Sequence, residues 1–433
     1  MSKKSSIHWF RRDLRLEDNH GLCAALDSGF PVLSLFIFDE DILQELEADD
    51  ARVNFIHERL KAMDTELIKR GSSLLVLHGN PLEIWKGILA EYEFSEVHCN
   101  EDYEPYALMR DKEVKALLAQ KGIALHTHKD QVVFAKEEVT KDDGKPYTVY
   151  TPYSKKWLSH FNPSMIQAYS SKREKDGFYA FEKAPNFPSL KDIGFKESTI
   201  KVKDYQLESE RIKAYEAKRN FPAQEGTSQL SVHLRFGSIS VREAFRRTMN
   251  VSETFAKELI WREFFMQILF HFPKVVHNSF REKYDRIPWR NNEAEFSLWC
   301  QGKTGFPMVD AGMRELNATG LMHNRVRMVV ASFLCKHLLI DWRWGEAYFA
   351  KKLLDFELSS NNGNWQWAAG TGCDAAPYFR VFNPSSQMDR FDKDLKYIKK
   401  WVPEYGTASY AAPMVDHAMA RDRAIKTYKE GIS

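Results

Sequence analysis

The first 134 residues alternate short apolar runs with amphipathic stretches, and this alternation constrains the fold more than any other feature of the chain. Five runs have the length and character of buried strands: SIHWF, PVLSLFIF, SLLVLHG, EVHCN and IALHTH. The stretches between them have a helical period, and two of these helices end at glycine. Strands that alternate with helices predict a doubly wound α/β domain around a parallel sheet. The dinucleotide fingerprint G-x-G-x-x-G does not follow the first strand.

The rest of the chain divides into two further parts. Residues 135–204 are rich in Lys, Pro, Ser and aromatic residues without a clear period, which predicts a long connecting segment on the surface. From residue 205 onward the pattern is almost wholly helical. The sequence therefore predicts an α/β domain at 1–134, a linker at 135–204 and an all-helical domain at 205–433.

Composition excludes several classes of protein. With 62 basic and 60 acidic residues the net charge is only +2, so nucleic-acid binding would require a local basic cluster. No run of about 18 apolar residues predicts a membrane span, and the start MSKKSSIHWF does not resemble a secretory signal. The five cysteines are scattered without a C-x-x-C pair. This spacing predicts neither a metal site nor a disulfide framework, and it fits a reducing cytoplasm.

The stretch NNGNWQWAAGTGCDAAPYFRVFNPSSQ at 361–387 indicates a functional site. Trp365 and Trp367 stand among three asparagines. Indole rings can stack or pass electrons, and amides can bind the polar edge of a planar heterocycle. A plain core helix has no need of that mixture.

Two further motifs place charged side chains on predicted helices. In ELIWREFF, Glu258, Trp261 and Arg262 share one helix face, although a surface Glu–Arg pair is an alternative explanation for that spacing. HNRVRM (323–328) lies within a predicted helical run from Ala311 to Leu339. An unpaired buried charge costs several kcal/mol, so the arginines of this run need partners.

In the segment GTSQLSVHLRFGSIS, the hydroxyls of Thr227, Ser228 and Ser231 cluster where a helix should begin. A helix N-terminus with hydroxyls can bind an anion, but an ordinary helix cap explains the same pattern.

Together with WFRRDLRLEDN at 9–19, these motifs resemble the DNA photolyase/cryptochrome family, and within it the class I cyclobutane pyrimidine dimer photolyases. The resemblance covers nearly the whole chain. It implies an N-terminal antenna domain and a C-terminal domain that binds FAD. It also implies light-driven repair, in which excited reduced FAD donates an electron to a flipped-out pyrimidine dimer and recovers it after the ring opens.

The resemblance assigns a set of residues to the flavin site. The matching cofactor-binding positions are Tyr215, Thr227, Ser228, Gln229, Leu230, Ser231, Arg262, Arg327, Asp355, Phe356, Glu357 and Asn361. Gln229 stands where many relatives have Arg, and Glu357 where they commonly have Asp. Asp355 is the expected partner of Arg327. Asn361 matches the residue beside the flavin N5, where photolyases usually have Asn, plant cryptochromes Asp and many animal cryptochromes Cys.

Other positions match residues that contact the lesion or conduct electrons. The expected DNA-binding residues are Arg219, Glu258, Trp261, Asn324, Arg325, Met328, Trp367 and Gln387. Glu258 and Asn361 are also expected to act in catalysis. Trp365, Trp342 and Trp289 match an electron relay from the flavin to the surface, although by sequence alone they are ordinary core or surface residues. Trp299 and Trp344 have no such match and are expected in the core.

The antenna pigment and the alternatives to repair stay open at this point. Tyr106 and Ala107 occupy the positions where folate-binding relatives have Asn and Glu. The sequence is closer to relatives with deazaflavin or with no antenna. The expected partner is UV-damaged DNA, bound by a monomer without a membrane. The main alternative is a non-repairing cryptochrome photoreceptor, against which Asn361 and the absence of a long tail after Ser433 argue. A flavin electron-transfer protein without DNA is a third alternative.

Overall fold

The computed structural model describes residues 4–433, and its contacts divide them into two compact units. The sheet unit comprises the chain up to Ala135 together with His160–Tyr205 and Gln229–Asn250. The helical unit comprises Lys136–Ser159, Gln206–Ser228 and Val251–Ser433. Parts of the predicted linker thus belong to each unit, and 229–250 belongs to the sheet unit although its residues lie beyond the boundary predicted at 205.

The sheet unit contains five parallel strands in the order β3-β2-β1-β4-β5, which confirms the predicted α/β class. The strands are β1 (Ser5–Phe10), β2 (Val32–Asp39), β3 (Leu74–Gly79), β4 (Phe94–Asn100) and β5 (Ala124–His128). The helices are α1 (His20–Asp27), α2 (Glu40–Leu43), α3 (Ala51–Lys69), α4 (Pro81–Glu91), α5 (Pro105–Ala119), α9 (Leu230–Arg235) and α10 (Val241–Thr248). All five strands predicted from the apolar runs are present.

Local sequence signals explain the helix boundaries of this unit. The side chain of Asn19 accepts a hydrogen bond from the backbone N–H of Leu22 and so caps α1. Gly71 and Gly122 follow α3 and α5 with φ of +74° and +71°, as expected for glycines that end a helix. The core lies between strands and helices and includes Trp9 and Trp85, whose rings meet edge to face at 5.4 Å.

The helical unit has no strand among its described residues. Its helices are α6 (Tyr150–His160), α7 (Ser209–Lys213), α8 (Tyr215–Lys218), α11 (Glu253–His271), α12 (Glu293–Cys300), α13 (Pro307–Thr319), α14 (Asn324–Ser332), α15 (Trp342–Lys352), α16 (Leu358–Ala369), α17 (Pro384–Phe391), α18 (Lys396–Trp401) and α19 (His417–Ile432). A π-helical turn at Phe333–His337 follows α14.

Helix α6 corrects the prediction that 135–204 is a connecting segment on the surface. Tyr153 and Trp157 are fully buried, and the Nε1 of Trp157 donates a hydrogen bond to Glu263 at 2.6 Å. The apolar positions Tyr150, Tyr153 and Trp157 follow a helical period. Their signal is short and surrounded by Lys and Ser, which is why the sequence pattern did not reveal the helix.

The helical run predicted from Ala311 to Leu339 is interrupted, so HNRVRM begins a helix instead of lying inside one. Helix α13 ends at Gly320, whose φ is +68°. A Cβ atom at Gly320 would lie 2.5 Å from Cγ of Leu354, so the glycine is required both by conformation and by packing. His323 then caps α14 by accepting a hydrogen bond from the backbone N–H of Arg325 at 3.2 Å.

No helix within residues 4–433 is both long enough and apolar enough to cross a membrane.

Candidate functional site

A cleft in the helical unit contains many of the residues that the sequence motifs singled out. It lies between α14, α15 and α16 and contains a cavity of about 100 Å³. Its lining residues are Asn324, Arg327, Met328, Ala331, Phe349, Leu353, Asp355, Phe356, Glu357, Ser360, Asn361, Asn364, Trp365, Trp367 and Ala368. The apolar members form a surface suited to a flat ring, and the amides and charged groups can fix its polar edge.

An ion pair connects α14 to the segment before α16. Arg327 Nη2 lies 2.9 Å from a carboxylate oxygen of Asp355, as predicted for this pair. The Nε of Arg327 also donates to the carbonyl of Met322 at 2.8 Å. These contacts hold the guanidinium and the carboxylate at the lining of the cleft.

The acidic residues of the predicted lesion and flavin walls have separate arginine partners. Glu258 lies 2.6 Å from Arg219, while Arg262 lies 3.2 Å from Glu357. Glu258 and Arg262, which the spacing in ELIWREFF places on one helix face, thus each have an ion-pair partner in another segment. Glu357 also accepts a hydrogen bond from Ser360 Oγ at 3.0 Å. Its carboxylate is thus engaged by protein groups, which favours its main chain as the contact to a ligand.

Asn361 is oriented by a residue that the sequence motifs did not identify. Its Nδ2 donates to Glu346 at 2.8 Å to Oε1 and 3.2 Å to the backbone oxygen. Burial raises the pKa of Glu346, and the hydrogen bond from Asn361 acts in the opposite direction. With Nδ2 so engaged, Oδ1 is the polar atom that Asn361 can offer to a ligand in the cleft.

Trp261 is supported by an aromatic residue from the predicted linker. The rings of Tyr150 and Trp261 stack at a centroid distance of 3.6 Å and an angle of 8°. The hydroxyl of Tyr150 donates to the carbonyl of Lys257 at 2.9 Å, which fixes the tyrosine ring. Burial raises the pKa of this tyrosine, with Glu258 as the second cause. The aromatic content of the segment PYTVYTPY was the only sequence signal for Tyr150.

Four arginines form a local basic cluster in the helical unit. Burial lowers the pKa of Arg325, and repulsion from Arg219, Arg390 and Arg380 lowers it further. Arg325 Nη2 donates to Asn220 at 2.6 Å and its guanidinium lies 4.5 Å from the ring centre of Phe391. These four arginines, of which Arg219 is paired with Glu258, are the candidates for the local basic cluster that nucleic-acid binding requires.

The three tryptophans of the predicted relay differ in exposure. Trp365 and Trp342 are buried, with 2% and 1% of their surfaces exposed, whereas Trp289 is half-buried. Trp365 packs against Gly345, where a Cβ atom would lie 2.2 Å from its ring. Trp289 meets Tyr428 edge to face at 5.6 Å. This order from buried to exposed is compatible with the predicted relay.

The two tryptophans without a match in the family pack as predicted for core residues. Trp299 is fully buried, and Trp344 packs partly buried against the same cluster.

Tyr215, Gln387 and the segment 227–231 are not among the lining residues of the cleft. Tyr215 on α8 meets Phe255 edge to face at 4.9 Å. Gln387 lies on α17, and its Oε1 is buried without a hydrogen-bond partner in the described part of the chain. The segment 227–231 crosses the division between the two units. Helix α9 does begin there, at Leu230, after Gln229 in a left-handed conformation.

Tyr106 and Ala107, the positions relevant to an antenna, lie on α5 in the sheet unit. Tyr106 donates its hydroxyl to Asp39 at 2.8 Å, and Ala107 is buried.

Comparison with known proteins identifies the family. Residues 6–171 match the model of DNA photolyase, and residues 255–408 match the FAD binding domain of DNA photolyase. The chain is 35% identical to a deoxyribodipyrimidine photo-lyase of Synechococcus sp., over 98% of this chain and 96% of that one. This chain belongs to the DNA photolyase/cryptochrome family.

Two solved structures have the same fold along their full lengths. A bacterial class III photolyase from Agrobacterium tumefaciens matches with a TM-score of 0.89 at 34% identity, covering 100% of this chain and 98% of that chain. An archaeal photolyase from Sulfolobus tokodaii with two FAD molecules matches with a TM-score of 0.85 at 34% identity, covering 98% and 100%.

Proposed function

We propose that this protein is a deoxyribodipyrimidine photo-lyase that uses light to split cyclobutane pyrimidine dimers in DNA. One observation carries the proposal: a single cleft brings together Asn361, the Arg327–Asp355 pair and the candidate lesion contacts Asn324, Met328 and Trp367. Relatives of similar length and about 35% identity carry the name of that enzyme.

The lining of the cleft fits FAD. Phe349, Leu353 and Trp365 offer apolar surface to a flat ring system, while Asn361 and Asp355 offer polar groups to its edge. When bound and reduced, FAD absorbs light and supplies the electron that the dimer accepts and returns. The protein residues bind and orient the cofactor, and Glu346 holds the amide of Asn361 in one orientation.

The surroundings of Trp261 fit a flipped-out lesion. Enzymes that act on bases extrude the damaged nucleotide from the duplex, and a damaged pair is cheaper to extrude. Trp261, held in place by its stack with Tyr150, is the proposed surface on which the lesion stacks. Trp367 in the lining of the cleft is the second such surface. Arg219 and Arg325 are the proposed phosphate contacts within the basic cluster. Glu258 is proposed to bind the polar edges of the lesion.

The lesion proposed is the cyclobutane dimer and not the (6-4) photoproduct. Relatives that act on (6-4) products usually carry two histidines where this chain has Asn324 and Met328, which cannot transfer a proton. His323 caps α14 through its ring, and burial lowers its pKa to about 4, with Arg327 as the next cause. With this pKa the histidine is uncharged at neutral pH, so it cannot donate a proton as an imidazolium would.

A non-repairing cryptochrome photoreceptor is the alternative function. Asn361 argues against it, because an amide cannot deliver a proton to the flavin as the Asp of plant cryptochromes could. We further propose membership of class I on the basis of the motifs, although one matched structure is a class III photolyase. A phylogeny of full-length photolyases that groups this chain with class III would overturn that part.

Antenna, oligomeric state and location belong to the same proposal. We expect a deazaflavin, another pigment or none in the sheet unit, and folate least of all, since Tyr106 and Ala107 stand where folate-binding relatives have Asn and Glu. The second FAD of the archaeal photolyase is one precedent for another pigment. Extraction and chromatography of the bound pigments would identify it. A cytoplasmic location fits the five free cysteines. We also expect a monomer, and light scattering would measure its mass.

Photoreactivation in cells tests the proposed function. A repair-deficient bacterial strain that expresses the chain is irradiated with ultraviolet light and then either illuminated with blue light or kept dark. A photolyase increases survival only in the illuminated cells. Equal survival in light and dark, with flavin-loaded protein present, would favour the cryptochrome alternative.

A further inference from the structure

A cluster of histidines lies at the β4–β5 edge of the sheet, in the sheet unit. In the parallel pairing His98 lies opposite His126, and Asn100 lies opposite His128. Glu96 is two residues before His98 and therefore projects from the same face of β4. One face of two neighbouring strands thus carries a carboxylate and three imidazoles.

Two buried atoms of this cluster have no hydrogen-bond partner in the described part of the chain. They are Oε1 of Glu96 and Nε2 of His98. The two atoms lie 3.2 Å apart, so their contact with each other is the only one that the described residues give them. His98 is only 6% exposed. A carboxylate oxygen and an imidazole nitrogen that face each other this closely could both bind a metal ion placed between them.

The possible metal-binding atoms of Glu96, His98 and His126 lie close to one another. Glu96 Oε2 lies 3.8 Å from His126 Nε2, and all three donor groups lie within 4.8 Å of one another. In a tetrahedral zinc site with bonds of about 2.0–2.1 Å, ligand atoms are about 3.3 Å apart. Small side-chain rotations would bring Glu96, His98 and His126 to that geometry.

A neighbouring histidine provides the outer hydrogen bond that such sites require. The Nδ1 of His98 lies 3.0 Å from Nε2 of His128, so His98 can donate from Nδ1 while Nε2 binds a metal. A hydrogen bond of this kind fixes the tautomer and orientation of a metal-binding imidazole. His126 is 47% exposed in its side chain, so solvent can reach the site and supply a fourth ligand.

We propose that Glu96, His98 and His126 bind one divalent transition-metal ion, with Zn²⁺ as the best match to two imidazoles and one carboxylate. The ion would connect the edge strand β5 to β4 in the sheet unit. The cysteine spacing could not indicate this site, because its ligands are a glutamate and two histidines. They lie on two strands that are separate in the sequence and adjacent in the sheet. The site is independent of the proposed repair activity.

Titration of the full-length protein with zinc chloride tests the proposal. Protein freed of metals with a chelator is titrated by calorimetry, and its melting temperature is measured with and without Zn²⁺. One equivalent is expected to bind and to raise the melting temperature, since the ion binds only the folded arrangement. Glu96→Gln and His126→Ala are each expected to weaken binding at least tenfold.

The matched control is His78→Ala, which removes an exposed histidine from β3, the opposite edge strand, and should leave zinc affinity unchanged. Crystals soaked with Zn²⁺ should give an anomalous peak between the three side chains. The proposal is overturned if no zinc binds, or if both ligand variants bind it as tightly as the wild type. Circular dichroism verifies that each variant is folded.

Discussion

At the scale of the residue, the Trp261–Tyr150 stack defines the proposed lesion wall. Trp261→Ala should weaken binding to dimer-containing DNA by about 1–3 kcal/mol, the cost of losing one base-stacking surface. Trp261→Phe retains a ring and should lose less. Fluorescence anisotropy with damaged and undamaged oligonucleotides measures both affinities. Equal affinity of the alanine variant and the wild type for damaged DNA would contradict the assignment of Trp261.

Lys336 makes the stability of the helical unit depend on pH. Burial lowers its pKa from the ordinary 10.5 to about 7, although its Nζ donates to the carbonyl of Ala369 and lies 3.6 Å from the ring centre of Tyr428. Between these two pKa values the unfolded chain binds more protons than the folded one. Stability therefore falls as the pH is lowered from about 10.5 toward 7.

The comparison of Lys336→Met with the wild type isolates this effect. The stability of the variant relative to the wild type should be greatest at pH 6.5, and this difference should shrink by about 2.5 kcal/mol at pH 9. Its other losses, such as the hydrogen bond to Ala369, do not change with pH. Melting temperatures at the two pH values give the result. A constant difference between the proteins would show that Lys336 does not titrate in this range.

Some contacts of the cleft could be predicted from the sequence and others could not, depending on the chemistry of the residues. The need of Arg327 for an acidic partner could be expected, because a charge in an apolar helix needs an opposite charge nearby. The family resemblance supplied Asp355 as that partner. The role of Glu346 could not, since it is 15 residues from Asn361 and no periodic pattern connects them. Tyr150 was missed for a related reason, as its partner Trp261 is more than a hundred residues away.

At the scale of the element, Gly320 separates α13 from α14 and so positions the start of α14 at the cleft. Gly320→Ala forces a side chain into a left-handed conformation and against Leu354. We expect a loss of about 1–3 kcal/mol of stability together with weaker flavin retention. Differential scanning calorimetry and the flavin content after gel filtration measure the two effects.

Gly406→Ala is the matched control for that substitution. Gly406 also has a positive φ, +88°, but no atom lies within 4 Å of the Cβ it would gain. It should show only the smaller backbone cost, with flavin retained. If both variants lose the same stability, the contact with Leu354 is not the cause.

Elements with strong periodic patterns were predicted and short ones were not. The five strands were recognisable because each apolar run is bounded by turn residues and followed by a helical pattern. The break at Gly320 was missed, because the helical periods on both sides of it join into one apparent run. Helix α6 was missed because its apolar positions are few.

At the scale of the whole molecule, photoreduction and repair should be separable. Trp289→Phe should abolish light-driven reduction of oxidised flavin by the protein, since phenylalanine is much harder to oxidise than tryptophan. Dimer splitting by protein that is already reduced should remain nearly intact. Trp344→Phe is the control, because Trp344 is likewise partly buried against the same core cluster. Absorption spectra during illumination report the reduction. Photoreduction of Trp289→Phe at the wild-type rate would exclude Trp289 as the terminal donor.

The most direct test of the central claim is lesion-specific turnover by purified protein with fully reduced flavin. Oligonucleotides with one cyclobutane dimer or one (6-4) photoproduct are illuminated in parallel, and chromatography follows the restored pyrimidines. We expect light-dependent repair of the cyclobutane dimer and none of the (6-4) product. Failure on the cyclobutane dimer with flavin fully reduced, or turnover of the (6-4) product, would contradict it.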